Sequence, residues 1–592
     1  MCGINGIVRL REEAPPIDRD ELLRTRDAMA ARGPDGAGAW ISASGRAALA
    51  SRRLAILDLS ESGAQPMSSE DGRFHIVLNG EIYNFRELRR ELRWDLETAG
   101  VRLRSSGDTE VVLALYAREG AAMLSRLRGM YGLAIWDERE KTLLLARDPL
   151  GIKPLYLAEE DGCLRFASQV KALEAGGAIS KEVDPAGVAG FLLWGSVPEP
   201  LTLRRAVRAL PAGHHVLVRD GAVGEPRPHG MPAIEFLAPE AAVEESVVAH
   251  LVSDVPVAVF LSAGLDSGLI AALACRHLPE PPATFTLSFD ELAGTTRDEA
   301  PVAAHVARTL GTRHVERRMG RADFAALWRD ALAAMDQPSI DGFNTFAVSR
   351  AAHEAGLKVV LSGLGGDEVF GSYPSFADVP RMERTAHRAA RLPGLAAAWP
   401  AISRLVPGRP KLAGLLRYGR TLPGAYFLRR GLYLPEELPA LMGRDAAAEG
   451  LARYDPVADA ARALAAANGR AGDPWIAVHE METAHYMRNQ LLRDSDWASM
   501  ASSVELRVPL VDAWLRARLA AGGFEPARGQ GKAELVRRLA PELPDAVFAR
   551  PKSGFYIPVM DWLQPEPGTS LGDQSRRLAL RVLEESGVEI GA

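Results

Sequence analysis

The sequence predicts an α/β and α+β protein of two units in series: a β-rich unit up to about residue 225, then a parallel-sheet unit from about residue 240. Three observations carry that prediction. Short apolar segments with frequent glycine fill the first part, at 2–10, 73–78, 132–136 and 143–146. In the second part, Ala-rich helical stretches alternate with apolar segments at 257–261, 283–287 and 358–361, which implies a parallel sheet covered on both faces. Between the two, Ala222-Val223-Gly224-Glu225-Pro226-Arg227-Pro228 fits neither pattern and reads as a linker.

Composition excludes several function classes. The chain has 592 residues, is 47% hydrophobic and 25% charged, and is ordinary for a globular protein. A net charge of -6 without a basic patch argues against nucleic-acid binding. Three scattered cysteines, Cys2, Cys163 and Cys275, are too few for a disulfide or zinc framework. No apolar run approaches the ~18 residues of a membrane-spanning helix. The N-terminus lacks the basic and apolar regions of a signal peptide, so a cytoplasmic protein without a membrane partner is expected.

The first segment is Met1-Cys2-Gly3-Ile4-Asn5-Gly6-Ile7-Val8. Removal of Met1 places a free α-amino group on the same residue as the Cys2 thiol. Such an amine has a pKa of about 7.7 to 8.0 and can take the thiol proton, leaving the thiolate nucleophile. Helices are predicted over 85–100 and 109–119, the second starting after the Ser106-Gly107-Asp108 turn.

In the second unit the segment Val257-Ala258-Val259-Phe260-Leu261 runs into Ser262-Ala263-Gly264-Leu265-Asp266-Ser267-Gly268 and then a helical stretch. Backbone N–H groups of such a loop and helix start converge on one point and suit phosphate or pyrophosphate. Ser262 and Ser267 add hydroxyls, and Asp266 suits Mg²⁺ held against phosphate oxygens. No Gly-Lys-Ser/Thr follows, so this is not a Walker loop. A second strand end, Leu361-Ser362-Gly363-Leu364-Gly365-Gly366-Asp367, offers Asp367 to face Asp266 across the carboxyl edge of the sheet. Beyond about residue 377 the chain is mostly helical.

With these residues in view, the chain resembles the glutamine-hydrolysing asparagine synthetases of the B type over nearly its whole length, with the motifs in family order. The first unit (1–225) resembles a class II glutamine amidotransferase domain, an N-terminal-nucleophile αββα sandwich. Met1-Cys2-Gly3-Ile4, Arg32-Gly33-Pro34-Asp35-Gly36, Ser51-Arg52-Arg53-Leu54, Asn79-Gly80-Glu81-Ile82-Tyr83-Asn84, Ser106-Gly107-Asp108-Thr109-Glu110 and the run from Arg147 to Tyr156 carry the match. The resemblance implies Cys2 as nucleophile, Arg53 on the glutamine carboxylate, Asn79 and Gly80 as the oxyanion hole, and Glu81 and Asp108 toward the α-amino group. These types fit a zwitterionic substrate and a developing oxyanion.

The second unit (240–592) resembles the ATP-pyrophosphatase fold of the synthetase domain, a doubly wound sheet with a helical C-terminal region. The resemblance implies ATP as co-substrate, with Leu261, Ser262, Gly264, Leu265, Asp266, Ser267, Leu287, Ser362 and Gly363 around it. It implies Mg²⁺ on Asp266 and Asp367, and Lys552 of Arg550-Pro551-Lys552-Ser553-Gly554-Phe555 as the cation near the leaving group. Glu505-Leu506-Arg507-Val508-Pro509-Leu510-Val511-Asp512 matches a late motif and reads as more structural than catalytic. The implied reaction forms an acyl-adenylate, β-aspartyl-AMP by default, which ammonia from glutamine converts to asparagine with release of AMP and pyrophosphate. The same chemistry on another carboxylic acid, as in natural-product or polysaccharide amidotransferases, is the alternative. A homodimer is a family-level expectation.

Three positions depart from the family pattern. Ala263 stands where glycine is usual, and Gln169 where Glu is expected. Leu364 fills a slot that often carries an acid in the Ser-Gly-X-Gly loop. The stretch Asp336-Gln337-Pro338-Ser339-Ile340-Asp341 offers Asp336 or Asp341 as a replacement acid, or shapes a pocket for a different acceptor.

Overall fold

The structure is a computed structural model that describes residues 2–98, 102–231, 234–395, 398–399, 410–465, 472–522, 531–550, 562 and 571–588. Lys552 lies outside the described residues. The first unit is built on two antiparallel sheets. One orders its strands Val207–Ala209, Tyr156–Glu160, Cys163–Ala167, Cys2–Arg9, Ala47–Arg53 and Gly36–Ile41. The other orders Ala222–Val223, His214–Arg219, Thr142–Arg147, Gly129–Asp137, Phe74–Ile82 and Met67–Ser68.

Alternation along each strand explains the layering. Cys2, Ile4 and Val8 meet Val77, Ala134, Trp136 and Leu143 between the sheets. Ile7 points the other way, onto Leu22 of the helix Arg19–Asp27. On the far sheet, Ile76, Leu78, Leu133 and Ile135 pack under the helices Phe85–Thr98 and Thr109–Glu119. Because the central strands, such as Cys2–Arg9, Gly129–Asp137 and Thr142–Arg147, are covered on both faces, they read largely as apolar runs. The result is the expected αββα sandwich. The stretch read as a linker still carries sheet: His214 and His215 pair with Pro228 and Arg227.

The second unit holds a five-stranded parallel sheet, in the order Arg313–Met319, Ala283–Phe289, Val257–Phe260, Val359–Leu361, Glu505–Arg507. In chain order that is 3-2-1-4-5, so the winding reverses between Val257–Phe260 and Val359–Leu361, where open α/β sheets bind ligands. Ala258, Phe285, Leu287, Val360 and Leu506 bury one face, and Val257, Val259, Leu261, Val359 and Leu361 the other. The strand Arg313–Met319 lacks an apolar pattern because it is a largely exposed edge. No described helix is long and apolar enough to cross a membrane.

Candidate active site

The first strand places Cys2 beside Arg53, its antiparallel partner in the register. The strand Phe74–Ile82 of the facing sheet brings Asn79 up to it, and the Cys2 backbone N–H donates to Asn79 Oδ1 at 3.1 Å. Gly80 follows with φ 155, and a Cβ there would lie 2.0 Å from the Met130 carbonyl oxygen, so only glycine fits. Cys2, Arg53, Gly63, Gly80, Glu81 and Asp108 line one pocket. Asn79, fully buried, stands behind it.

The pocket is held by its own loops. Arg53 donates to the carbonyl oxygens of Ser60 (3.0 Å), Leu57 (3.2 Å) and Asp58. The Asp58 carboxylate accepts from Ser105 Oγ at 2.6 Å and the Ser106 N–H at 3.0 Å, which ties the Arg53 loop to the turn before Asp108. Those hydrogen bonds, joined by two from Ser60, outweigh burial and pull the Asp58 carboxyl down to about 2. Asp108 accepts from the Ile82 N–H at 2.9 Å.

The electrostatics qualify the expected charges. Burial pushes the Asp108 carboxyl above its ordinary range. Burial, then the neighbouring Glu505 and Asp108, push Glu81 well above its range against the pull of Arg507. A cation in the pocket, such as an ammonium group, would oppose both shifts. Burial also raises the Cys2 thiol, so the nucleophile needs an adjacent base. Arg507 reaches to 3.9 Å from Glu81 and 2.5 Å from Glu505, with both Arg507 and Glu505 fully buried. The late motif, besides adding a strand to the sheet, reaches Glu81 in the Cys2 pocket.

At the switch point of the parallel sheet, Leu261 to Ser267 leave one central strand and Ser362 to Asp367 leave its neighbour, the strands being paired at Val259 and Leu361. Gly264 opens the helix Leu265–His277. Ser262 Oγ and Ser267 Oγ lie 2.9 Å apart, and the Gly264 N–H donates to Ser262 Oγ at 3.1 Å. Ala263 is not among the non-glycine residues with positive φ, so its methyl group needs no left-handed backbone. A Cβ at Gly366 would lie 2.3 Å from Asp266 Oδ1, which is how the second loop packs so closely on the first. Leu287 sits on the next strand, Ala283–Phe289.

One residue that the sequence reading passed over completes this edge. Lys532, near the start of the helix Gly531–Leu539, places its Nζ 2.6 Å from Asp266 Oδ2 and 2.9 Å from Asp367 Oδ1. Burial opposes the ammonium charge, but the two carboxylates outweigh it and hold Lys532 above the ordinary lysine range. The two acids therefore face a single point at which a cation is already held. The chemistry of this donor set suits Mg²⁺, which takes one or two carboxylates and completes its shell with phosphate oxygens and water. Among the described residues no group of three or more His, Cys, Asp or Glu side chains gathers as a metal cage. A lone Lys gives no motif, and only its position at a helix start after Gly529-Gln530-Gly531 could have flagged it.

The structure separates the two replacement acids offered by the stretch from Asp336 to Asp341. Asp336 is spent elsewhere: its carboxylate accepts from the Val170 and Lys171 N–H groups at 3.1 and 3.0 Å. It thereby caps the helix Val170–Gly176, whose own N-cap, Gln169, makes no capping bond. Asp341 instead stays near Tyr486, Asn344 and a second residue that sequence reading missed, Asp494. Asp494 accepts from Ser339 Oγ at 2.6 Å and Trp497 Nε1 at 2.8 Å. Tyr486 belongs to an 11-residue π-helical stretch, Glu482–Leu492, a geometry frequent at functional sites. Leu364 packs, half-buried, against the core beneath.

Burial, and next the Asp341 charge, push the Asp494 carboxyl up to about 7. An unfolded Asp titrates near 3.9, so the fold binds this proton more tightly. The stability it contributes is present below about pH 4 and is lost as pH rises through about 7, up to ~4 kcal/mol from this group. Asp494→Asn is expected to flatten the fall in melting temperature between about pH 4 and 7. An unchanged slope would contradict this account of the site.

Comparison with known proteins matches both units. Residues 1–227 fit the family model described as a glutamine amidotransferase domain, and residues 239–581 the model described as asparagine synthase. The chain is 33% identical to a putative glutamine-hydrolysing asparagine synthetase of Mycobacterium tuberculosis, covering 95% of this chain and 88% of that one. It is 29% identical to glutamine-hydrolysing asparagine synthetase 1 of Bacillus subtilis, covering 96% and 88%. With asparagine synthetase B of Escherichia coli it shares 32% identity, over 64% of this chain and 66% of that one. The chain belongs to the asparagine synthase family, as a glutamine-dependent, ATP-using ligase.

Proposed function

We propose that the protein makes asparagine from aspartate, with glutamine as nitrogen donor. The observation that carries the proposal is the pairing, in one chain, of the Cys2 pocket with the Asp266, Asp367 and Lys532 cluster at the switch point of the sheet.

In the first pocket, once Met1 is removed, the Cys2 α-amine takes the thiol proton and the thiolate attacks the glutamine amide carbon. Arg53 holds the substrate carboxylate, and Glu81 and Asp108 receive its ammonium group. The oxyanion develops against the Asn79 amide and the Gly80 N–H, each such donor worth about 2.7 to 4 kcal/mol. The amine then returns its proton to the leaving nitrogen, ammonia departs, and water cleaves the thioester to glutamate.

In the second site the acceptor carboxylate attacks the α-phosphorus of ATP, giving the acyl-adenylate and pyrophosphate. The Ser262 to Ser267 loop and Lys532 receive the pyrophosphate, and Lys552 is proposed as a further cation there. Mg²⁺ held by Asp266 and Asp367 would neutralise phosphate charge when bound. Ammonia attacks the acyl carbon and AMP leaves. Asp341, beside Tyr486, supplies the acid that Leu364 does not, and is proposed to hold the aspartate ammonium group.

Glutamine labelled with ¹⁵N at its amide tests the assignment. With aspartate, ATP and Mg²⁺, the label is expected in the asparagine amide. Glutamate formed without labelled asparagine, and label in the amide of another supplied carboxylic acid, would reassign the acceptor.

A further inference from the structure

The Cys2 carbonyl oxygen accepts a hydrogen bond from Arg32 Nε at 3.3 Å. The rest of that guanidinium closes on the Asp496 carboxylate with two bonds, of 2.7 and 3.0 Å. Lys153 Nζ approaches the same carboxylate at 3.5 Å. Arg32 and Lys153 belong to the glutaminase unit, while Asp496 lies on the fully buried helix Arg493–Met500 of the synthetase unit. The three side chains are 2%, 1% and 5% exposed, so three full charges are shut between the units.

Each member is fixed from its own side. Arg32 ends a short helical turn, Ala30–Arg32, that docks on the other unit through Ser503 Oγ donating to the Ala31 carbonyl at 2.5 Å. Lys153 ends a loop wrapped round Asp148, whose carboxylate accepts from the N–H groups of Leu150, Ile152 and Lys153. Two positions before Asp496, Asp494 faces the Ser339 loop on the acceptor side. One helix therefore touches the backbone of the nucleophile through Arg32 and the acceptor pocket through Asp494.

Stability does not account for such a cluster. Burying ions costs desolvation, and well-packed apolar side chains often serve the fold as well. Arg32 and Lys153 outweigh burial and hold the Asp496 carboxyl below its ordinary range, so the charge persists at neutral pH. The bidentate fork fixes direction as well as distance.

We propose that Asp496 is a positioning residue that, through Arg32, holds the Cys2 backbone in register with the synthetase unit and so couples ammonia release to its use. This rests on the reading of Cys2 as the glutamine nucleophile and of the second unit as the synthetase. Neither Asp496 nor Lys153 lines the Cys2 pocket. Their effect is on where Cys2 stands when the two units are docked.

The experiment uses the full chain and compares glutamate formed with pyrophosphate released, with aspartate, ATP and Mg²⁺ and either glutamine or ammonium chloride. Asp496→Asn keeps the shape and removes the charge. It is expected to raise the glutamate-to-pyrophosphate ratio about fivefold or more, because ammonia freed at a Cys2 no longer in register with the synthetase unit escapes before it is used. Pyrophosphate release with ammonium chloride is expected to stay within about twofold of wild type. Arg32→Lys keeps the charge but loses the fork, and is expected to raise the ratio as well. Asp512→Asn is the control, because the Asp512–Arg128 pair is also buried between the units but makes no contact with Cys2. It is expected to lower the melting temperature without changing the ratio. An unchanged ratio in both Asp496→Asn and Arg32→Lys overturns the proposal, as does an equal rise in Asp512→Asn. Failure of the acceptor assignment shows separately, as wild-type protein that releases no pyrophosphate with aspartate.

Discussion

Cys2→Ala is expected to abolish glutamate formation and glutamine-dependent amide synthesis, by about 10⁴-fold or more, while synthesis from ammonium ions persists. The size follows from the concentration of roles on one residue. Cys2 supplies both the thiol and, once Met1 is removed, the amine that activates it, and among the described residues no other cysteine lines the pocket. Burial raises the thiol, so proximity of that amine decides reactivity. The second site draws nothing from the Cys2 sulfur, and the side chain is small and packed among Ile4, Val77 and Leu155, so the fold is expected to survive the change. Glutamate release and asparagine formation, measured in parallel with glutamine and with ammonium chloride, check this. Loss of both reactions together would show that the units do not work as separable sites.

Lys532→Gln is expected to have the opposite profile. Pyrophosphate release falls about 10²-fold or more with either nitrogen source, in the range found when one charge-stabilising group is removed. Glutamate formation by the first unit stays within about twofold. Lys532 is held by two carboxylates at 2.6 and 2.9 Å in a nearly closed setting. Removing its charge leaves the part-exposed Asp266 and Asp367 carboxylates facing one another, which destabilises the fold, by less than the about 3 to 5 kcal/mol of a fully buried pair because water reaches both acids. The melting temperature is therefore expected to drop in the protein alone and to recover in part with Mg²⁺, which would replace the lost cation. A variant that keeps full pyrophosphate release would remove Lys532 from the site.

Much of the fold was legible because its central strands are covered on both faces and read as apolar runs. The helix Thr109–Glu119 starts where the Ser106-Gly107-Asp108 turn indicated. The central strands Val257–Phe260, Ala283–Phe289 and Val359–Leu361 lie where alternation with helices placed them, the second extending two residues further. What escaped was set by tertiary context. The edge strand Arg313–Met319 is polar because water covers it, and Glu505–Arg507 is only three residues long. The strand pieces at Ala222–Val223 and Arg227–Pro228 looked like linker because they are two residues each and Gly224, Pro226 and Pro228 break the pattern around them.

The site shows the same division. Residues in contiguous motifs, such as Asn79 and Gly80 or Ser262 to Ser267, announce themselves through spacing. Lys532, Asp494 and Asp496 meet partners far away in the chain, and a single charged residue carries no trace of that in sequence. Asp336 shows the converse. It looked like a spare acid for the acceptor, yet its carboxylate is occupied by the helix start beside Gln169.

The most direct test of the central claim is pyrophosphate release by the purified protein with ATP, Mg²⁺ and glutamine, with and without aspartate. The account predicts release that depends on aspartate, with asparagine formed in equal amount. Glutamine cleaved at full rate with no aspartate-dependent pyrophosphate would contradict it.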